Sequence, residues 1–476
     1  MPRRLLITLA LLAAHCAMIS AARAEDSPSE HWPQWRGPHA NGFTSTANPP
    51  LEWSPDSNIK WKTPIPGRGS ASPIIWGDRV YILTAVDTGA QPEPEPKQDE
   101  SPSSHRTGRL SDQSAPPNDP PSQTTSFEPA PHADAPPENA GAQPNIHKFE
   151  VICLNRHTGE VLWQHTAREA APHEGMHATN SYASGSAVTD GNRLYASFGS
   201  HGIYCYDLDG KLLWEQDLGD MTTRLGFGEG ASPAIHGETL VVPWDQEKNS
   251  RIFGLDAATG EVKWETPRDE PTGWATPVIV EAAGRTQAIL NGYKRSRSYD
   301  LETGEVLWEC GGQVSSAIPS AVIVDDLAVC MTGFQKSAVV AIPLDASGDV
   351  TDADRVAWKA TKGAPFVPSP LLYDGKLYFV KGNTGILSCL DARTGESIIN
   401  QKRLKGIGDV YASPVGAAGR IYVTARDGTT VVISDGDKVE ILATNSVGEP
   451  VDASPALVGN DIYIRGDQHL FCIGAE

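Results

Sequence analysis

The chain has 476 residues, with 39 basic against 59 acidic side chains and a formal charge of −20. That balance excludes a surface built for phosphate backbones or anionic lipids. The length alone suggests two or three domains, unless one fold is made of many repeats, so repetition has to be sought first.

Residues 1–24 read as an export signal. Arg3 and Arg4 give a positive start, Leu5 to Ala14 is apolar, and Ala22-Arg23-Ala24 supplies small residues before a cleavage point after Ala24. His15 interrupts the apolar run, which is too short to span a bilayer. The same bulky polar residue, just before Cys16, argues against a lipid anchor on that thiol. Cleavage would remove three Arg and no acid, leaving a charge near −23. No later segment is apolar enough to cross a membrane. The expectation is a soluble exported monomer, periplasmic or extracellular, that binds no nucleic acid.

Residues 25–87 contain a spare strand, IKWKTPI from Ile59, and the start of a first repeat: SASPIIW at Ser70, then a strand from Val80 to Val86. Residues 88–146 break the pattern. They are rich in Pro, Ser, Gln, Asp and Glu, with Phe127 the only aromatic, and cannot bury enough apolar surface to offset their ordering entropy. They read as a disordered hairpin insert within the first repeat, a spacer or alternatively a tether. The remaining repeats occupy residues 147–476.

Next comes HEGMH, His173 to His177, which matches the H-E-x-x-H pattern of zinc peptidases. That chemistry needs both His on one helical face, with Glu as general base and a third ligand further on. Pro172 and Gly175 are a poor setting for such a helix. Asn180 and Ala183 stand where a metzincin continuation needs Gly and His. The motif therefore reads as a loop, with zinc hydrolysis a remote alternative and no metal expected.

Two signatures recur along the chain. CLNRHTGEVLW from Cys153, GLDAATGEVKW from Gly254, SYDLETGEVLW from Ser298 and CLDARTGESII from Cys389 share a small residue, Asp or Asn, then Thr-Gly-Glu; CYDLDGKLLW from Cys205 is a shorter copy. Each is preceded by a small residue and Ser/Thr-Pro before an apolar run: GASPAIH at Gly230, WATPVIV at Trp274, VPSPLLY at Val367, YASPVGA at Tyr411 and DASPALV at Asp452, with weaker copies at Tyr182 and Ala317. The spacing and the β-branched alternation predict blades of four short strands. The starts number eight, and the last copy ends without its fourth strand. Trp61 on the spare strand fits the missing position. The fold class expected is all-β: an eight-bladed β-propeller of four-stranded antiparallel blades, closed by the N-terminal strand completing the last blade.

The small-x-Asp-x-x-Thr-Gly-x-x-x-Trp pattern resembles the tryptophan-docking repeat of quinoprotein dehydrogenases and the wider pyrroloquinoline-quinone-like propeller family. The resemblance implies that Trp61, Trp163, Trp214, Trp264, Trp308 and Trp358 wedge between blades, each near the opening small residue of a neighbouring repeat. Ile399 replaces Trp in the sixth blade, and the seventh has none. Cys153, Cys205, Cys389 and Cys472 occupy the opening small position, where Cys acts as a small hydrophobe. Equivalent points on different blades lie too far apart for disulfides.

In that family a quinone lies in the channel against a Trp, often beside a disulfide of adjacent cysteines, with calcium held by Glu, Asn and Asp. This chain has no Cys-Cys pair and no C-x-x-C-H haem site, and the calcium ligands have no assignable positions. The propeller lipoprotein of the outer-membrane β-barrel assembly machine is similar in architecture and docks partners through loops. The reading preferred is a non-catalytic binding or scaffolding propeller without a cofactor, taking a protein partner or a saccharide or peptide ligand. The alternative is a dehydrogenase for alcohols or polyols using pyrroloquinoline quinone with calcium. Residues before each first strand should ring one channel mouth as a ligand site: Arg68, His177, Asn180, Tyr182, Glu229, Trp274, Phe366, Asp409, Tyr411 and Asp452.

Overall fold

The structure, a computed structural model, describes residues 30–93, 144–314, 316–381 and 384–475. The expected export signal at 1–24, and residues 94–143 of the expected insert at 88–146, lie outside the described residues.

Among the described residues the strands form eight sheets, each built in the order inner to outer A-B-C-D. The third blade is representative: Ala234–His236, Thr239–Trp244, Arg251–Asp256 and Val262–Pro267, all antiparallel. Strand B is buried along its whole length because its two faces meet the two neighbouring blades. Strand D is half exposed, with Trp264 its buried residue. Ile59–Pro64 is the fourth strand of the eighth blade, with Trp61 opposite Cys472 and Thr63 opposite Leu470. The two ends of the chain thus share one sheet and leave no seam for edge pairing.

The Thr-Gly-Glu signature is a turn that satisfies its own amides. In the third blade, Asp256 Oδ1 accepts the N–H groups of Ala258 and Thr259 at 2.9 Å, and Thr259 Oγ1 accepts that of Glu261 at 3.3 Å. Gly260 takes φ +77°, a conformation that costs a residue with a Cβ about 1–2 kcal/mol. Asn155, Asp300 and Asp391 build the same turn.

The tryptophans pack differently from the expectation. The opening small residue lies opposite the Trp of its own repeat: Cys153 with Trp163, Cys205 with Trp214, Gly254 with Trp264, Ser298 with Trp308. What the ring meets in the next blade is the glycine of the turn. A Cβ on Gly304 would stand 2.6 Å from the Trp264 ring, and one on Gly260 2.5 Å from Trp214. The indole N–H then bonds a carbonyl of that turn: Trp264 to Leu301 at 2.9 Å, Trp214 to Ala257 at 3.1 Å, Trp61 to Arg156 at 2.9 Å. Only glycine admits the ring, which is why Thr-Gly and Trp recur together.

The fourth blade departs from four strands. The link between the last two strands of the fifth blade has no Thr-Gly-Glu turn; it reaches back and adds Gly348–Asp349 in parallel to Val306–Gly311. This strip covers Trp308, which is fully buried. The six described cysteines are free and buried. Burial pushes Cys153, Cys205, Cys330, Cys389 and Cys472 up to about 12.

The Ser/Thr-Pro signature has a separate role. Each blade's Ser or Thr sits at the inner end of strand A, and its hydroxyl accepts the backbone N–H of the equivalent residue one blade back. The bonds run Ser72 to Ser186, Ser232, Thr276, Ser320, Ser369, Ser413, Ser454 and back to Ser72, at 2.9–3.1 Å. These inner ends radiate from the axis and cannot pair as strands, so the hydroxyls satisfy amides that would otherwise be orphaned. Proline usually follows, holding the Ser or Thr extended and offering no further N–H.

Candidate functional site

The hydroxyl ring encloses a cavity of about 490 Å³. The loops that join each outer strand to the next blade form its mouth. Its other end is covered by the N-terminal segment, which crosses beneath the ring. Trp32 pairs with Ile75 of the first blade, Pro33 accepts the Thr189 N–H of the second, and Gly42 pairs with Gly416 of the seventh. Trp35, between these anchors, lines the cavity. Beside it, buried Arg36 donates to the Pro370 carbonyl, and desolvation pulls its pKa down to about 9. The channel is therefore blind, with an indole at its floor.

Six of the ten expected mouth residues line this cavity: His177, Asn180, Trp274, Phe366, Tyr411 and Asp452. Tyr182 and Glu229 line a smaller adjoining crevice with His173 and His201. Arg68 and Asp409 line neither. Arg68 is instead bonded through its backbone to Ala85 and through Nη2 to the Ala178 carbonyl at 2.8 Å. The sequence reading passed over Trp35, Arg224, Phe227, Phe334, Lys381 and the serines of the ring.

HEGMH forms no helix. His173 Nε2 donates to the Met221 carbonyl at 2.7 Å, and Glu174 accepts from the Thr223 N–H and hydroxyl. The His177 N–H bonds the Phe227 carbonyl at 3.1 Å, and Asn180 Nδ2 bonds the Phe227 and Glu229 carbonyls at 2.8 and 3.1 Å. The motif is thus a bracket that fixes the loop from Met221 to Glu229, which carries Arg224, Leu225 and Phe227 to the mouth.

Aromatic groups dominate the mouth. The Trp274 indole N–H is anchored on the Gly228 carbonyl at 2.8 Å, Phe334 and Phe366 pack at 4.9 Å, and His177 meets Phe227 edge-on at 5.0 Å. The Arg426 guanidinium lies 4.3 Å from the Tyr411 ring and binds both oxygens of Asp452, at 2.6 and 3.1 Å. Desolvation, and then the nearby Arg426 charge, lower the His177 pKa. Three lining residues other than glycine adopt positive φ: Leu225 (53°), Ser316 (63°) and Gln335 (60°). Such strain concentrates at ligand clamps.

Residues 147–401 match the family model described as outer membrane protein assembly factor BamB, over half of the chain. The chain belongs to this family. No curated protein sequence matches this BamB-family chain. Among solved structures, BamB from Moraxella catarrhalis is 15% identical with a TM-score of 0.50, over 68% of this chain and 94% of that one. Quinohemoprotein alcohol dehydrogenase from Comamonas testosteroni is 10% identical with a TM-score of 0.59, over 95% and 81%. The quinohemoprotein alcohol dehydrogenase ADHIIG from Pseudomonas putida HK5 gives 10%, 0.52, 95% and 81%. At these identities the likeness is one of fold.

The quinone and calcium implied by the second likeness can be tested against the donors present. Calcium asks for six to eight oxygens with several carboxylates. The cavity offers one carboxylate, Asp452, committed to Arg426. The Asn180 amide oxygen already accepts from the Ser181 N–H and the Ser184 hydroxyl, at 2.8 and 2.7 Å. Among the described residues no three His, Cys, Asp or Glu side chains gather to hold a metal. The donor set of this BamB-family channel does not fit calcium-bound quinone. No described helix is long and apolar enough to cross a membrane.

Proposed function

We propose that this protein is an exported, non-catalytic binding propeller whose blind channel takes up a small ligand. The observation that carries the reading is the cavity itself: about 490 Å³, floored by Trp35, walled by aromatic side chains and rimmed by residues in strained backbone. That size falls in the range of small-molecule sites, and the concave, aromatic lining suits a ligand of one or two rings better than a flat protein face. The carboxylates here are paired, Asp452 with Arg426 at the mouth and Glu174 with Thr223 in the side crevice. Support for export comes from the N-terminal composition and from the family description.

Native mass spectrometry of the purified protein, before and after unfolding and extraction, tests this reading. The expected result is one small molecule per chain, lost when Trp274→Ala and Tyr411→Ala are combined. Saturable uptake of pyrroloquinoline quinone with calcium, together with dye reduction by an alcohol, would overturn it. So would retention of a protein partner that is unaffected by the same double substitution.

A further inference from the structure

The eight hydroxyls that link the blades hold bonding capacity that the fold does not use. A Ser or Thr hydroxyl has one proton to donate and two lone pairs. In each of the eight, one lone pair takes an N–H from the blade behind. Among the described residues none of these hydroxyl protons has a protein acceptor, yet each of the eight residues is at most 9% exposed. Six of them, Ser72, Ser186, Ser232, Thr276, Ser413 and Ser454, line the cavity. A buried ring of this kind presents a donor and a spare acceptor to the cavity from six of the eight blades. Its complement is a molecule that is itself covered in hydroxyl and ether oxygens.

Charge adds a second constraint. The chain carries −20, but the channel mouth reverses the sign. Among the described residues Arg224 and Lys381 line the cavity with no carboxylate partner, whereas the single lining carboxylate, Asp452, is neutralised by Arg426. Flat aromatic faces supply the third element, since Trp274, Phe366 and Tyr411 can pack against the C–H face of a sugar ring.

Resting on the reading of the channel as a ligand site, we propose that the ligand is an acidic saccharide unit, a sugar ring bearing a carboxylate or sulfate. Its hydroxyls engage the seryl ring, the aromatic side chains take its apolar face, and Arg224 and Lys381 hold its anion at the mouth.

Isothermal titration of the full chain tests this with glucuronate, glucose 6-sulfate, neutral glucose, and benzoate as an anion without hydroxyls. Methyl β-glucuronide separates a free acid from the end unit of a chain. The acidic sugars are expected to bind at least tenfold tighter than glucose and than benzoate. That preference should shrink fivefold or more in Arg224→Gln/Lys381→Gln, and in 0.5 M salt. Both substituted residues are exposed, so unchanged melting of the variant shows that its fold is intact. Glucose bound as tightly as glucuronate, or benzoate bound as tightly as either acid, overturns the ligand class while channel binding stands. Failure of every sugar to bind also overturns it, and the native mass measurement then judges the channel reading separately.

Discussion

Replacing Ser369 by Ala tests whether the hydroxyl ring holds the blades at the axis. Ser369 is fully buried, and its Oγ accepts the Ser320 N–H at 3.0 Å. Its own N–H still reaches Ser413 Oγ at 2.9 Å, so the substitution breaks one bond and orphans one buried donor. The vacated space is one oxygen atom, too small for water to replace the lost acceptor. An unsatisfied buried amide costs about 1–3 kcal/mol, a roughly five- to 150-fold rise in opening at that site. Hydrogen exchange followed by mass spectrometry on the peptide around Ser320 reads this directly. The matched control is Ser446→Ala, which removes the acceptor of the Gly448 N–H at 3.0 Å in an exposed turn and should cost at most about 0.5 kcal/mol. Should the peptide around Ser320 exchange as slowly in Ser369→Ala as in the control, the ring does not carry the inner ends of the blades.

Three further outcomes follow from the packing and the buried charges. Gly304→Ala places a Cβ 2.6 Å from the Trp264 ring at φ +74°, whereas Gly237→Ala, at φ +55°, meets nothing within 4 Å; thermal melting should show Gly304→Ala as clearly the worse, with Gly237→Ala losing only the backbone term of about 1–2 kcal/mol. Burial in the side crevice pushes Glu229 up to about 7, against the hydrogen bonds it accepts from Ser200 and the His173 charge, while burial and then the His173 charge bring His201 down to about 4. The raised acid makes stability fall as pH rises from about 4.5 to 7, and the lowered base makes it fall as pH drops from about 6.5 to 4, so the two oppose each other. Denaturation series across pH 4–8 should therefore show Glu229→Gln losing stability toward acid and His201→Phe losing it toward neutral pH. Thiol titration with an aromatic disulfide should find no fast-reacting cysteine in the folded protein without residues 1–24, and six after unfolding, because the described cysteines are free and buried.

Much of the architecture was legible because repeated residues repeat for a shared reason. Thr-Gly-Glu recurs because the turn consumes its own amides, and Trp61 could be placed because a lone fourth strand had to complete a blade that lacked one. Periodicity does not say which partner a residue meets, however. The tryptophans were expected against a neighbour's small residue and instead lie opposite their own, with the neighbour supplying glycine. Arg68 was expected at the mouth from its position before a first strand, but its side chain is drawn aside to the Ala178 carbonyl.

The cavity was only partly legible, for a physical reason. Its wall is assembled from single residues on separate loops, such as Arg224, Phe334 and Lys381, which share no spacing because each loop has its own length and path. Its floor, Trp35, comes from a segment that repeats nowhere in the chain. The serines were visible from the outset, but as punctuation before proline. Their position at the inner end of every first strand puts all eight in the frame and six of them also in the cavity wall. A hydroxyl can serve in both because it can accept an N–H and still have a proton to give. Six of the eight hydroxyls that close the ring of blades therefore also set the polarity of what the channel can hold, and a substitution at one of those six perturbs stability and binding together. Arg224 and Lys381, outside that network, are the positions where ligand preference can change while the fold stays as it is.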